Sequence, residues 1–222
     1  MTIFAAMKYE LTIFDLDGTL VDTIDDLGAA VNHALSLRGL PLHGREEYRL
    51  MVGNGVRNLV HRAMPEELKG DTGLLDALLA DFINWYSCHL DVRSRPYPGI
   101  PELLTRLRAE GVKLAVASNK FQAGTDKIIA RFFPEIDFCA VLGGREGVPL
   151  KPDPAVVHTI MQTAPASLES TVMVGDSATD MLTAKAAGIC GAAVTWGFRP
   201  AEAVAECTVK ADDAAELLEL LL

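Results

Sequence analysis

The sequence has few of the features that would mark a secreted, membrane-bound or nucleic-acid-binding protein. It contains only four cysteines among 222 residues, with no CxxC pair, so neither a disulfide framework nor a zinc site is expected. No apolar run is long enough to cross a membrane. Positive charge is scarce: 20 lysines and arginines face 30 acidic residues, and the net charge of −10 argues against a nucleic acid or an anionic membrane as partner. These absences favour a cytoplasmic protein with reduced thiols.

The N-terminus has no recognisable targeting signal. Residues 1–6 are weakly apolar but lack the basic region and the long apolar region of a signal peptide. Met7 would itself be a natural start, so residues 1–6 are interpreted as an extension whose origin the sequence leaves open. Half of all residues are hydrophobic, and a chain of this length can bury a full core as one large domain or two modest ones.

Two aspartates separated by one residue, Asp15 and Asp17, follow a short apolar run over residues 9–14. That run predicts a buried strand. On an extended backbone, side chains two residues apart point the same way, so both carboxylates would face one site. Close carboxylates repel and are costly to bury, so the pair requires a metal ion, a proton, or both. Gly18 permits a sharp turn, and Thr19 offers a hydroxyl and a backbone N–H to an anion.

The rest of the chain divides into two kinds of pattern. Residues 21 to about 93 predict amphipathic helices and no strand, and a breaker-rich junction follows at residues 96–101. Beyond it, apolar strands alternate with helices, which is typical of a parallel sheet covered on both faces. We therefore predict an α/β fold with a Rossmann-like parallel-sheet core, residues 1–20 and 96–222, and an all-helical cap domain inserted at residues 21–95.

Polar residues follow three of the predicted strands, at the edge where parallel sheets bind ligands. They are Asp15 and Asp17, Ser118 and Asn119, and Asp176 and Asp180. A loop stiffened by prolines adds Lys151. Each has a plain structural alternative, such as a helix cap for Ser118 or a surface charge for Lys151. As a set, they suit phosphoryl transfer to an aspartate, with a hard cation holding the phosphoryl oxygens.

Four segments resemble the motifs of the haloacid dehalogenase-like hydrolase superfamily: FDLDGTL, VASNK, Lys151 within KPDP, and GDSATD. The resemblance covers the whole chain, including the helical insertion after the first motif. The SNK, GNG and TWGF segments resemble its phosphoglycolate phosphatase branch. The resemblance implies a phosphatase that acts on a small phosphorylated metabolite such as 2-phosphoglycolate, whereas the acid at position 17 argues against dehalogenation.

The resemblance also implies how the reaction would proceed. Asp15 would be the nucleophile that forms an aspartyl-phosphate. Asp17 would protonate the leaving alkoxide and would then activate water. The cofactor would be Mg²⁺, held by the Asp15 carboxylate, the Asp17 backbone carbonyl and Asp176.

The remaining motif residues would bind the phosphoryl group or support those that do. By the same resemblance, the phosphate would be held by Thr19, Ser118, Asn119 and Lys151. Asp180, with Ser177 beside it, would orient Lys151 or a water ligand of the metal.

The inserted helices are expected to recognise the leaving group. Gly53, Asn54 and Gly55 with Arg57 are the candidate contact, since backbone N–H groups beside a guanidinium can receive a carboxylate. A plain helix–helix turn with a surface arginine is the alternative interpretation.

Two other functions share parts of this pattern. A phosphosugar mutase has the same core motifs and differs in returning a bisphosphate to the enzyme instead of admitting water. A signalling receiver domain also combines a phosphorylated aspartate with a hydroxyl and a lysine, but it is much shorter and lacks a helical insertion. The sequence does not indicate an oligomeric state.

Overall fold

The computed structural model of the chain describes residues 8–222, and the extension proposed for residues 1–6 lies outside them. In the described part, the strands are β1 (Leu11–Phe14), β2 (Val21–Asp22), β3 (Arg95–Pro96), β4 (Lys113–Phe121), β5 (Ala140–Gly144), β6 (Thr171–Gly175), β7 (Cys190–Val194) and β8 (Val209–Ala211).

The same part of the chain contains ten α-helices and a short 3₁₀ turn at Glu66–Leu68. The helices are α1 (Ile24–Ser36), α2 (Arg45–Met51), α3 (Val56–Ala63), α4 (Thr72–His89), α5 (Ile100–Ala109), α6 (Gln122–Phe132), α7 (Ala155–Thr163), α8 (Ala178–Ala187), α9 (Pro200–Glu206) and α10 (Ala214–Leu221). Within residues 8–222, no helix is both long and apolar enough to cross a bilayer.

Six strands form one sheet in the order β5-β4-β1-β6-β7-β8, and all its pairings are parallel. β1 lies in the middle and is completely buried, because both faces of the sheet are covered. Successive residues of β1 point to opposite faces of the sheet: Phe14 packs into one apolar cluster and Ile13 into another. The predicted α/β fold with a parallel sheet is therefore confirmed.

A helical insertion separates β1 from β4 in the chain, as predicted. The insertion is bracketed by β2 and β3, which pair antiparallel through Val21 opposite Pro96 and Asp22 opposite Arg95. Between them α1 packs against α4, and Leu27 of α1 joins the same apolar cluster as the buried side chains of α4. The prediction that residues 21 to about 93 contain no strand was wrong at β2, since a two-residue strand is too short to show an alternating pattern.

The strand predicted before Ser118 and Asn119 also differs from the observed one. β4 does not end before these residues but continues to Phe121, and its pairing with β5 changes register between Ala117 and Phe121. Such an irregularity redirects side chains at the end of a strand. Ser118 and Asn119 therefore lie on an irregular strand end and not on a separate loop.

Candidate active site

Three chain segments leave the sheet at the same edge because the pairing of their strands is in register. Phe14, the last residue of β1, lies opposite Val116 of β4 and Val174 of β6. The Asp15 backbone N–H donates to the Val174 carbonyl at 2.9 Å and extends this pairing by one residue. Because parallel strands end at one edge, the residues that follow them converge. The motifs after β1, β4 and β6 therefore meet in space.

Lys151 reaches the same edge from the loop between β5 and α7. Asn119 holds this loop, because its side chain accepts from the Lys151 N–H and donates to the Lys151 carbonyl, both at 2.9 Å. The buried Lys151 Nζ donates to the Ala117 carbonyl and to Asp180 Oδ1, each at 2.7 Å. The same Nζ lies 2.9 Å from Asp15 Oδ1. One ammonium group thus joins all three segments, and the Asn119 amide fixes its loop.

Asp15, Asp176 and Asp180 form an acid group, with one carboxylate oxygen of each within 4.8 Å of the others. Both oxygens of Asp176 are held. Its Oδ1 accepts from the Thr19 hydroxyl at 3.1 Å, and its Oδ2 accepts from the Phe198 backbone N–H at 2.7 Å. Thr19 is fully buried, so its hydroxyl, which the sequence resemblance assigned to phosphate, orients Asp176 here.

Asp180 is fixed at the start of α8. Its Oδ2 accepts from the hydroxyl of Ser177, the N-cap residue, at 2.6 Å and from the Ser177 N–H at 3.2 Å. Its Oδ1 accepts from Lys151. Because both oxygens are occupied by groups of the chain, Asp180 orients the ammonium group of Lys151, and Ser177 orients Asp180.

Two glycines bring backbone against Asp176. A Cβ at Gly18, whose φ is +90°, would lie 2.4 Å from Asp176 Oδ2, and a Cβ at Gly197 would lie 2.2 Å from Asp176 Cβ. Real side chains do not approach so closely. Both positions therefore require glycine if Asp176 is to keep its place in the acid group.

Burial and mutual repulsion shift the acids of this group away from their ordinary behaviour. Burial, together with the charge of Asp180, raises the pKa of Asp15 to about 8, although Lys151 acts in the opposite direction. Burial and the charge of Asp180 likewise raise the pKa of Asp176 to about 7, against the hydrogen bond from the Phe198 N–H. Burial alone would lower the pKa of Lys151, but attraction to Asp15 and Asp180 raises it. The chain's own cation therefore does not fully offset the negative charge.

This donor set fits a hard divalent cation. The groups on offer are carboxylate oxygens, which Mg²⁺ prefers over nitrogen or sulfur, and they carry more negative charge than Lys151 balances. Each of the three acids offers one carboxylate oxygen within 4.8 Å of the others, and Asp15 and Asp176 are two side chains of this group that could hold a metal. These are the two carboxylates that the sequence resemblance assigned to Mg²⁺.

The Asp17 side chain lies apart from the acid group. Its Oδ1 accepts from the Thr23 hydroxyl at 2.7 Å, and its two oxygens lie 3.0 and 3.3 Å from Lys120 Nζ. Lys120 is buried, and its Nζ also donates to the Tyr86 hydroxyl at 2.6 Å. Asp17 therefore has its own cation, and a metal ligand could come from it only through the backbone carbonyl that the resemblance named.

Sequence reasoning did not identify Lys120 as a residue of the site. The available signal was a lysine directly after Ser118 and Asn119, at the polar end of a strand that is otherwise mostly apolar. Such a residue is more often a surface charge. The irregular end of β4 instead turns Lys120 inward, where burial would lower its pKa but attraction to Asp17 raises it.

A cavity of about 70 Å³ opens over these residues and is roofed by the inserted helices. This is several times the space that one water molecule requires. Gly53, Asn54 and Gly55, the residues expected to contact the leaving group, line it, and Asn54 Oδ1 accepts from the Thr179 hydroxyl of α8 at 2.9 Å. The 53–55 loop is therefore tied to the core directly above the acid group.

Arg57 does not line this cavity, unlike the three loop residues with which it was grouped. Its Nη1 lies 2.7 Å from Asp76 Oδ1 of α4, and more than half of its side chain is exposed. The sequence could not reveal this, because one residue of helix register decides whether a side chain in the first turn of α3 faces the core or solvent. The structure thus favours the plain alternative, a surface arginine, at position 57.

The family described as haloacid dehalogenase-like hydrolase matches residues 12–194. Phosphoglycolate phosphatase 1 of Pseudomonas aeruginosa is 36% identical over 225 residues, which cover 97% of this chain and 80% of that protein. Phosphoglycolate phosphatase of Mesorhizobium japonicum is 36% identical over 193 residues, which cover 86% of this chain and 85% of that protein.

Solved structures agree with these sequence relatives. A crystal structure of a candidate phosphoglycolate phosphatase from Lactobacillus delbrueckii subsp. bulgaricus superposes with a TM-score of 0.88 at 32% identity, covering 97% of this chain and 99% of the other. A second candidate, from Haemophilus somnus, gives a TM-score of 0.90 at 29% identity, covering 98% of this chain and all of the other. The similarity therefore includes the inserted helices as well as the sheet.

Proposed function

The chain belongs to the haloacid dehalogenase-like hydrolase family, and on that premise we propose that it is a Mg²⁺-dependent phosphatase of small phosphomonoesters, with 2-phosphoglycolate as the leading substrate. The observation that supports this most is the position of Lys151 Nζ, 2.9 Å from Asp15 and 2.7 Å from Asp180. An ammonium group fixed beside a reactive carboxylate is suited to hold the oxygens of a phosphoryl group. The substrate is suggested by the names of the relatives.

Asp15 is the proposed nucleophile, and the state of its two oxygens supports this role. Oδ1 accepts from the Leu16 N–H at 2.7 Å and contacts Lys151, whereas Oδ2 accepts no hydrogen bond from residues 8–222. Asp15 lines the cavity. Its Oδ2 would attack the phosphorus, the bond from phosphorus to the leaving oxygen would break, and an aspartyl-phosphate would form.

Asp17 is the proposed acid and base. It would give a proton to the leaving alkoxide in the first step. In the second step it would take a proton from water as the water oxygen attacks the phosphorus, the bond to Asp15 breaks, and inorganic phosphate leaves. Its side chain lies on the cavity wall, which is where a group serving the leaving oxygen must be.

Ser118 and Lys151 would hold the phosphoryl oxygens. The Ser118 oxygen accepts from the Lys120 N–H at 3.2 Å, and its own proton has no acceptor among the described residues, so the hydroxyl can donate to a ligand. The proposed Mg²⁺, held by Asp15, Asp176 and the Asp17 carbonyl, would supply positive charge to the phosphoryl oxygens.

A panel of small phosphomonoesters tests this proposal. With Mg²⁺ present, we expect release of inorganic phosphate from 2-phosphoglycolate in preference to nucleotides and phosphopeptides, because the cavity is small. EDTA should abolish the activity, added Mg²⁺ should restore it, and Ca²⁺ should inhibit because its looser coordination would misplace the nucleophile. Activity that survives thorough chelation would exclude the metal, and conversion of a sugar phosphate to its isomer without phosphate release would point to a mutase.

A further inference from the structure

The cations that line the cavity differ in where their acid partners lie. Lys120 pairs with Asp17, and Lys151 pairs with Asp15 and Asp180, so each lysine is balanced by acids of the cavity itself. Arg199 also lines the cavity, yet its partner Glu202 lies one turn along α9 and is not part of the lining. Arg199 is therefore a cation of the cavity wall whose balancing acid lies outside.

The hydrogen bonds of Arg199 leave part of its guanidinium available. Nε and Nη2 donate to Glu202 Oε1 at 3.0 and 2.7 Å, and Nη1 donates to the Val52 carbonyl at 3.3 Å. A guanidinium has five N–H groups, and these three hydrogen bonds use one N–H each, although Nη2 also lies 2.7 Å from Glu202 Oε2. One further N–H on each Nη makes no hydrogen bond with residues 8–222. Less than a quarter of the side chain is exposed. Two adjacent donors on a fixed plane match the two oxygens of a carboxylate.

A second arginine adds to the positive charge at this place. Arg62 Nη1 donates to the carbonyls of Met51 and Gly53 at 2.7 and 3.0 Å, and Arg62 forms no ion pair in the described part of the chain. Burial lowers the pKa of Arg62, and the nearby charge of Arg199 lowers it further. Two guanidinium groups that repel each other thus share the charge of Glu202, and an excess of one positive charge remains beside the loop.

The backbone is shaped to let Arg199 reach this loop. Gly53 has a φ of +122°, and a Cβ there would lie 2.8 Å from Arg199 Nη1. On the other side, the N–H of Phe198, the residue before Arg199, is bound to Asp176. Arg199 therefore begins beside the acid group, where the phosphoryl group would lie, and ends beside the inserted loop. A short substrate would extend between these two points.

We propose that Arg199 binds a carboxylate on the leaving group of the substrate, and so selects small phosphomonoesters that carry one. This inference rests on the proposed phosphatase function and adds the residue that would recognise the rest of the substrate. It assigns to Arg199 the contact that sequence reasoning gave to Arg57, whose guanidinium is paired with Asp76 on the exposed side of the insertion.

The test compares two substrates that differ in the carboxylate. 2-Phosphoglycolate and ethyl phosphate share a two-carbon phosphoester, but only the first carries a carboxylate. For Arg199→Gln we expect kcat/KM for 2-phosphoglycolate to fall about 10- to 100-fold, as expected for loss of a charged hydrogen-bonded contact, and kcat/KM for ethyl phosphate to stay within about threefold. Most of the loss should be in KM. Arg199→Lys, which keeps the charge but loses the paired donors, should lie between.

Arg57→Gln is the matched control, an arginine of the same region whose loss should change neither substrate. Equal losses on both substrates in Arg199→Gln would show that Arg199 only holds the inserted loop, and no loss on either would remove it from the site; each result overturns the inference. If Arg199→Gln fails to fold in a thermal unfolding test, Arg199→Lys decides by the same comparison. Wild-type protein that hydrolyses neither substrate would instead refute the proposed function itself.

Discussion

At the scale of single residues, the acid group shows how one buried cation limits what several carboxylates can do. Lys151 contacts Asp15 and Asp180 directly, but it does not contact Asp176. Burial raises the pKa values of Asp15 and Asp176, the charge of Asp180 raises them further, and the attraction of Lys151 does not offset these two effects.

This shortage of positive charge predicts how metal and pH together control stability. In the metal-free protein, Asp15 and Asp176 have pKa values of about 8 and about 7, above the value of about 3.9 expected for aspartate in the unfolded chain. At pH values between the unfolded and folded pKa values, the folded state therefore binds more protons than the unfolded chain does. The free energy of unfolding should then fall as pH rises from about 5 to about 8. The proposed Mg²⁺ would balance the charge of the carboxylates that have lost their protons, so its stabilising effect should grow over the same range.

Thermal unfolding at several pH values, with Mg²⁺ and with EDTA, measures this effect. The difference in Tm between the two conditions should be larger near pH 8 than near pH 5, within the window of about pH 5 to 8 given above. In Asp176→Asn the difference should shrink, because one of the repelling charges has been removed. A Mg²⁺ effect that is constant with pH would contradict the assignment of the metal to this acid group.

At the scale of secondary-structure elements, Asp26 joins the first helix of the insertion to the residues just before β3, where the chain returns to the sheet. The side chain lies in the first turn of α1 and is 2% exposed. Its oxygens accept from the Arg93 N–H at 3.0 Å, from the Ser94 N–H at 2.8 Å and from the Ser94 hydroxyl at 2.7 Å. From sequence, an acid in a first turn is simply favourable to the helix dipole, so this bond across 67 residues could not be foreseen.

Asp26→Asn should therefore destabilise the protein without touching the site. Loss of the charge and of part of the accepting capacity should lower the free energy of unfolding by about 2 to 3 kcal/mol. Asp25→Asn is the matched control. The side chain of Asp25, the residue before Asp26, is 40% exposed and pairs with Arg45, and such exposed ion pairs contribute only about 0 to 1 kcal/mol. Urea denaturation measures both, and equal effects would show that the contacts of Asp26 carry no special weight.

The elements that sequence reasoning missed are short or depend on distant packing. β2 and β3 have two residues each and β8 has three, so none shows a periodic pattern. The elements found correctly, such as β1 and α1, carry several apolar residues at regular spacing. The core motifs could be assigned to one site from the sequence because aligned strand ends bring them together. The positions of the Lys120 and Arg199 side chains instead depend on strand irregularity and loop conformation, which the sequence does not show. Arg57 was misplaced for a different reason, since one residue of helix register decides whether a side chain in the first turn of α3 faces the core or solvent.

At the scale of the whole molecule, the insertion and the sheet are coupled through buried hydrogen bonds as well as apolar contact. The Tyr86 hydroxyl of α4 accepts from Lys120 Nζ at 2.6 Å, and Lys120 contacts Asp17. Tyr86 also packs against Phe121 with ring centroids 6.2 Å apart. The proposed acid and base is thus connected to the inserted helices through one lysine.

Tyr86→Phe removes only the hydroxyl and tests this connection. We expect a loss of about 1 to 2 kcal/mol in stability, because a buried ammonium group loses an acceptor, together with a lower kcat. Tyr48→Phe is the control: its hydroxyl donates to Asn32 Oδ1 at 2.6 Å within the insertion and should affect stability alone. If both variants keep the wild-type kcat, the insertion does not act on Asp17 through Tyr86.

In the proposed mechanism, Asp15 becomes phosphorylated during turnover. The most direct measurement is rapid acid quenching of Asp17→Asn mixed with Mg²⁺ and 2-phosphoglycolate labelled in its phosphoryl group, followed by peptide mapping. Without the acid and base, attack of water should be slowed, so label should accumulate on the peptide that contains Asp15, and Asp15→Asn should show neither label nor turnover while retaining its fold. Label on another residue, or turnover by Asp15→Asn at the wild-type rate, would contradict the account.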